Sequence, residues 1–427
     1  MLVLAYVLLA VAVYVGNGTR PGLPYALAAM AILVAAHVRA PRVTTRALPW
    51  ALAAGCATAI DPVPPEGPAI LCIFVVAQAA LGLFALARPR FAGRAMLGVA
   101  LGIYAVAGAV VIRHYPPPSI DVFELQQGGA SALEAGRNPY AVTYPNHYSQ
   151  AQTRAFFGDD RTVLREYPYP PLTLLVTTAG HAVGGDVRWV LLASQLGIGW
   201  LLFALSRGAG HGAAVALALP TLHFLHPRGL FVLDQSWTDP ILACAFLAVL
   251  LLIQRQRAVG IALGLFLAAK QYSVLAVPLL LKDGRIRPRA WVAAAAIAFA
   301  VTLPFFAWGP RDFIDDVVLF QLRQPFRPDA LSLPAFAAAV TGWRAPGALA
   351  LVGAVAAGAF AWSGLGAAAG KSEPPSRLPL AIALVYMAFF LFAKQAFCNY
   401  YYAVGVIILG AAALLDPAGE GSPSLTG

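Results

Sequence analysis

The sequence predicts an all-α, polytopic transmembrane helical protein, and three observations carry that prediction. Apolar residues make up 60% of the 427-residue chain. Charged residues make up 11%, against roughly 25% in a soluble globular domain. The apolar residues recur in stretches that approach the ~20 needed to span a bilayer, and the mean hydropathy is +0.73.

Leu2 to Val15 is apolar, has no basic region before it and is followed at once by more apolar segments. It reads as a first span and not as a cleaved leader. Further spans are expected near 23–37, 48–60, 68–87 and 95–112, which sets 1–112 apart as an N-terminal helical region. Residues 113–188 break the pattern with an acidic, Gly- and Asn-containing stretch, expected to be a large outer loop. Within it, Pro171 to Val183 starts Pro-Pro-Leu and ends at Gly184-Gly185-Asp186, as a helix lying in the interface would. A transmembrane core over 189–415 follows, with spans near 189–205, 213–227, 239–253, 258–269, 272–281, 291–307, 347–365, 378–393 and 400–415. Several are short, so the total is about 12–14. The Gly/Ser/Pro-rich tail 416–427 is expected to be disordered.

The net charge of +10 does not point to nucleic acid, because the excess sits in short loops between spans. Arg39, Arg42 and Arg46 share one loop, and Arg88, Arg90 and Arg94 another. Arg255 with Arg257, Lys282 through Arg289, and Lys371 with Arg377 mark three more. The positive-inside rule makes all of these cytoplasmic. Segment 113–188, the turns near 228–238, Lys270 and Lys394, and segment 308–346 then lie on the opposite side. This parity requires 258–281 to be two short helices meeting at Lys270. Half-helices that meet at a polar residue usually line a cavity. Cys56, Cys72, Cys244 and Cys398 lie in or beside apolar segments with no paired spacing, which suits packing better than a disulfide or a metal.

Against this background a few polar residues need an explanation. A charge at mid-membrane costs ~2.5–3.5 kcal/mol on insertion scales. Asp121 stands where an apolar helix gives way to the long wet loop, and reads either as a solvated loop acid or as a catalytic carboxylate. Lys270, followed by Gln271, is either a lysine snorkelling to the interface or a cation held at a cavity mouth. Lys394, with Asn399, Tyr400 and Tyr401 just after it, is either an interfacial anchor or part of a binding site. His226 and Arg228 could meet a phosphate. Arg323, in the polar stretch Gln321 to Asp329, suits a loop over a site. There is no glycine-rich phosphate loop, His-Glu-x-x-His or Gly-x-Ser-x-Gly.

Taken in order, Asp121 opening the first large loop, Gly136-Arg-Asn138-Pro139-Tyr140, Tyr167-Pro-Tyr169-Pro170-Pro171-Leu172, a lysine between half-helices and a late Tyr-rich turn resemble the GT-C superfamily of membrane glycosyltransferases. Within it the sequence looks most like the glycosyltransferase 87 family of polyprenol-phosphate-mannose-dependent mannosyltransferases. The resemblance covers roughly 113–405, and the five spans before the acidic loop depart from it.

The resemblance implies a GT-C-like fold and a polyprenyl-phosphate sugar donor. It also implies a glycolipid or glycan acceptor and inversion at the anomeric carbon, with membrane lipids around it. Asp121 takes the place of the catalytic base and Lys270 that of a phosphate-binding lysine. Lys394 through Tyr401 correspond only loosely to a late family motif. Glu124 shares a helical face with Asp121 and orients the base or acceptor, or is a solvated acid. Tyr169 sets the entry of the interface helix. No metal and no cofactor are expected beyond the donor, and the setting implied is a bacterial inner membrane with the site facing outward. The other function class that fits broken helices and buried charge is a secondary transporter.

Overall fold

Short apolar runs become helices here because only a helix satisfies its own backbone away from water. The computed structural model describes residues 1–16, 20–39, 45–60, 70–365 and 375–417. Arg42, Lys371 and the tail from residue 418 lie outside the described residues.

The N-terminal region forms α1 (Leu2–Val15), α2 (Leu23–Arg39), α3 (Leu48–Ile60), α4 (Ile70–Ala87) and α5 (Arg94–His114). The loop region forms α6 (Asp121–Glu134), α7 (Gln150–Phe157) and α8 (Pro171–Gly184), with a two-residue antiparallel ladder pairing Tyr144 with Leu164. Beyond it come α9 (Arg188–Gly208), α10 (Ala213–Phe224), α11 (Gly229–Asp234), α12 (Asp239–Leu252) and α13 (Gln256–Ala269). After α14 (Val277–Asp283) and α15 (Pro288–Trp308), α16 (Pro310–Ile314) and α17 (Phe320–Arg323) flank a single π-turn over Asp315–Leu319. The chain continues as α18 (Leu333–Thr341), α19 (Leu349–Gly364), α20 (Arg377–Leu391) and α21 (Cys398–Ala413).

Among the described residues, four helices are long and apolar enough to cross a membrane: α4, α5, α9 and α15. Nine shorter apolar helices accompany them. Together they match the predicted all-α polytopic class, and the predicted spans fall on these helices within a few residues except 272–281, which is a 3-10 turn over Gln271–Ala276 followed by the short α14.

The main core lies among α1, α9, α10, α12, α20 and α21. Nearly every residue of α20 and α21 is buried, so these two helices are central and apolar all round. Helix α13 packs on α15 at two glycines. A Cβ on Gly260 would come within 2.9 Å of the Ala290 carbonyl oxygen, and one on Gly264 within 2.8 Å of that of Ala294.

The expected break in 258–281 is present. Helix α13 stops at Lys270, whose backbone is extended, and a 3-10 turn over Gln271–Ala276 leads into α14.

A second, smaller core caps the bundle. Leu125, Tyr140, Tyr144, Tyr167 and Leu174 from the first loop pack with Phe305, Phe313 and Val317 from the far end of the chain. The Asn-Pro-Tyr and Tyr-Pro-Tyr elements belong to this core. Gly136 takes φ of +67°, which a side chain would resist. The Asn138 side chain accepts from the Tyr140 amide at 3.0 Å. The buried Tyr140 ring meets Tyr167 edge-on at 5.4 Å, and its hydroxyl donates to the Tyr169 carbonyl at 2.9 Å. Both motifs therefore serve as packing that fixes the position of Tyr169.

Candidate active site

Helix α6 begins at Asp121, so its carboxylate sits at the positive end of the helix dipole. The side chain accepts from the Val122 amide at 2.9 Å and from the Tyr148 hydroxyl at 3.0 Å. Burial nonetheless raises its pKa above the ordinary carboxylate value, and the Tyr148 bond and the field of Arg327 only partly oppose this. Asp121 lines a cavity of about 410 Å³.

Every segment that the charge pattern places on one side of the membrane reaches that cavity. Asp121, Tyr148 and Tyr169 come from the first loop, Trp237 and Thr238 from the turn before α12, and Lys270 from the helix break. Phe320, Arg327 and Asp329 come from segment 308–346, Gln395 from the turn before α21, and Asn399 and Tyr400 from the first turn of α21. Beside Trp237, Ser236 holds φ of 58°, a left-handed conformation costly for a residue other than glycine. Its neighbours Gln235 and Trp237 both face the cavity.

Lys270 reaches the cavity wall with 7% of its surface exposed. Its Nζ donates to Asp239 Oδ2 at 2.9 Å and lies 5.7 Å from the centre of the Tyr400 ring. Asp239 is fully buried at the start of α12. It also accepts from the Tyr272 hydroxyl and, at 2.7 Å, from the Asn399 amide. This cluster joins α12, the α13 break and α21. Lys270 does not snorkel: it is a buried lysine with a carboxylate partner, and one edge reaches the cavity. Asn399 Oδ1 is buried without a hydrogen-bond partner among the described residues.

Arg327 is the second cation at the cavity. Its guanidinium forks onto Asp329 at 2.7 and 2.8 Å. It stacks 3.9 Å from the centre of Phe156 and 4.8 Å from that of Phe397.

The remaining predicted site residues lie elsewhere. Glu124 pairs with His147 at 2.9 Å, beside the cavity but not on its wall. The Gln271 amide donates to the carbonyls of Pro168 and Val317, tying the two outer segments together. Lys394 likewise spends its ammonium on the carbonyls of Leu322 and Gln324. The Tyr401 hydroxyl turns into the core and donates to the Leu331 carbonyl. His226 and Arg228 do not face the cavity: Arg228 donates to the carbonyls of Val13 and Tyr14 at the C-terminus of α1, and buried His226 packs against Tyr6 and Tyr402. Arg323 is exposed, pairs with Asp315 at 3.3 Å and lines a neighbouring cavity.

Sequence reasoning places Asp239 and Arg327 among the polar residues of their segments without assigning either to the site, and it does not single out Tyr148. Asp239 carried one signal, an acid directly before an apolar span, which in lipid requires a partner.

No family model matches the chain. No curated protein matches it either. Among solved structures it is similar to ArnT from Cupriavidus metallidurans bound to undecaprenyl phosphate, with 17% sequence identity and a TM-score of 0.47. That likeness covers 73% of this chain and 59% of ArnT, so the chain spans under two thirds of that protein's length.

Proposed function

We propose that this protein is an inverting membrane glycosyltransferase of the GT-C type, moving a sugar from a polyprenyl-phosphate donor to an acceptor on the extracytoplasmic face of a bacterial cell membrane. One observation carries the reading. A single cavity, where the helix ends meet the outer loops, holds a half-buried carboxylate with a raised pKa and two cations from distant parts of the chain.

The chemistry follows from those groups. Asp121 accepts the proton of the acceptor hydroxyl as its oxygen attacks the anomeric carbon. The bond from that carbon to the phosphate oxygen breaks, and polyprenyl phosphate leaves with the electron pair. A raised pKa makes the carboxylate a stronger base while the Tyr148 hydroxyl orients it. Lys270 and Arg327 stabilise the charge that builds on the leaving phosphate. Asp239 and Asp329 hold the two cations in place beforehand, so little reorganisation is needed when the charge develops. Mannose as the transferred sugar rests on the sequence resemblance alone.

The test is transfer of labelled mannose from polyprenyl-phosphate mannose in membranes that contain the protein and its native acceptors. Asp121→Asn should lower the rate ~10²–10⁴-fold with protein level unchanged. Wild-type transfer by that variant would remove the base. Solute uptake into proteoliposomes without any glycosylated product would favour a transporter instead.

A further inference from the structure

A second cavity, far from the first in sequence, lies between the N-terminal end of α5 and the C-terminal end of α9. Its volume is about 790 Å³. Arg94 comes from the start of α5 and Arg207 from the last turn of α9, and no carboxylate lines the space. Leu97, Leu101 and Phe203 form an apolar floor, and Trp200, about half exposed, stands at the rim. Gly98 opens the groove from one side, since a Cβ there would meet nothing within 4 Å. Arg94 borders one of the basic loops that the charge pattern makes cytoplasmic, and Arg207, at the far end of a span that starts on the outer side, falls on the same face.

We infer that this groove is a binding site for one anionic phospholipid of the cytoplasmic leaflet. Two guanidiniums with no acid between them match a phosphodiester headgroup. The apolar trough that runs from them along α5 and α9 matches an acyl chain. Trp200 sits as an aromatic residue does where chain meets headgroup. Among the described residues, the Arg207 guanidinium donates to the His211 carbonyl and neither Arg94 nor Arg207 has a carboxylate partner, whereas Arg327 and Arg323 near the first cavity pair with Asp329 and Asp315.

Native mass spectrometry of the full-length protein in detergent, titrated separately with phosphatidylglycerol and phosphatidylcholine, tests the site. The wild type should retain one phosphatidylglycerol with about tenfold preference over phosphatidylcholine. Arg94→Gln with Arg207→Gln should reduce that preference to near unity. Gly98→Phe should fill the trough with little strain on the backbone, and should lose the bound lipid while both arginines remain. Equal binding of the two lipids by the wild type would overturn the proposal, as would a preference that survives the double arginine variant. Phosphatidylglycerol preference unaffected by Gly98→Phe would show that phosphate alone is recognised, which also overturns a lipid site.

Discussion

Asp121 lives under two opposing influences, and Tyr148 is the largest of those that hold burial in check. Burial favours the neutral acid, while the tyrosine hydroxyl, donating at 3.0 Å, favours the carboxylate. Tyr148→Phe removes a hydrogen bond to the charged form, so the pKa of Asp121 should rise further. A base must be ionised to act, so the acid limb of the pH–rate profile should move to higher pH, with the rate at high pH changed far less. A profile unmoved by Tyr148→Phe would mean that Asp121 is not the titrating base. At this scale the sequence revealed Asp121 because a polar residue stood at the edge of an apolar run. Asp239 stands in the sequence as one of several polar residues of its turn with nothing to single it out, because its meaning comes from Lys270, 31 residues later, and only the folded chain sets them 2.9 Å apart. Arg327 was hidden for a similar reason: three arginines punctuate segment 308–327, and nothing in their spacing says which will stack on Phe156 from a different loop.

Among the helices, the decisive feature is the interruption at Lys270. It was legible, because a continuous helix over 258–281 would have put basic loops on both sides of the membrane. What holds the interruption open was not legible. The free end of α13 is secured through the Lys270–Asp239 pair, whose side chains are 9% and 0% exposed, and the same carboxylate holds α21 through Asn399. Removing one member of a buried pair strands the other, at a cost of about 3–5 kcal/mol. Asp239→Asn should therefore lower stability by roughly that amount in detergent unfolding. Combining it with Lys270→Met should restore much of the loss, because the neutral Asn–Met pair carries no unmatched charge. If the double variant is no more stable than the single one, charge pairing is not what fastens these helices. Lys394 and Gln271 illustrate the converse lesson. Their position in turns between spans resembles that of binding residues, yet their side chains bond backbone carbonyls of neighbouring loops. Sequence position cannot distinguish a lysine that binds a ligand from one that binds the chain.

Across the whole molecule, two hydrophobic cores meet at the cavity: the helical bundle below and the tyrosine-rich cap above. The cap joins residues near 125–174 to residues near 305–317, so its integrity depends on a long-range closure. Asp316 sits at that closure, nearly buried, with Oδ2 accepting from the Tyr167 amide at 2.7 Å. Burial and the neighbouring carboxylates Glu166, Asp312 and Asp315 push its pKa up to about 7. An unfolded aspartate titrates near ~3.9. Between those values the folded cap holds a proton that the unfolded cap has released. The contribution of Asp316 to stability is thus fully present below about pH 4 and is lost as pH rises through about 7. Amide exchange over 163–170 and 312–320 should quicken across this window, corrected for the intrinsic dependence of exchange on pH. Asp316→Asn keeps an oxygen acceptor for the Tyr167 amide but cannot ionise, so its cap should show no such trend and should be the better protected at pH 8. The central helices α20 and α21 do not contribute to this cap core, and their protection should stay level in both proteins. Loosening that spread equally through the bundle would show that the cap has no separate stability for Asp316 to control.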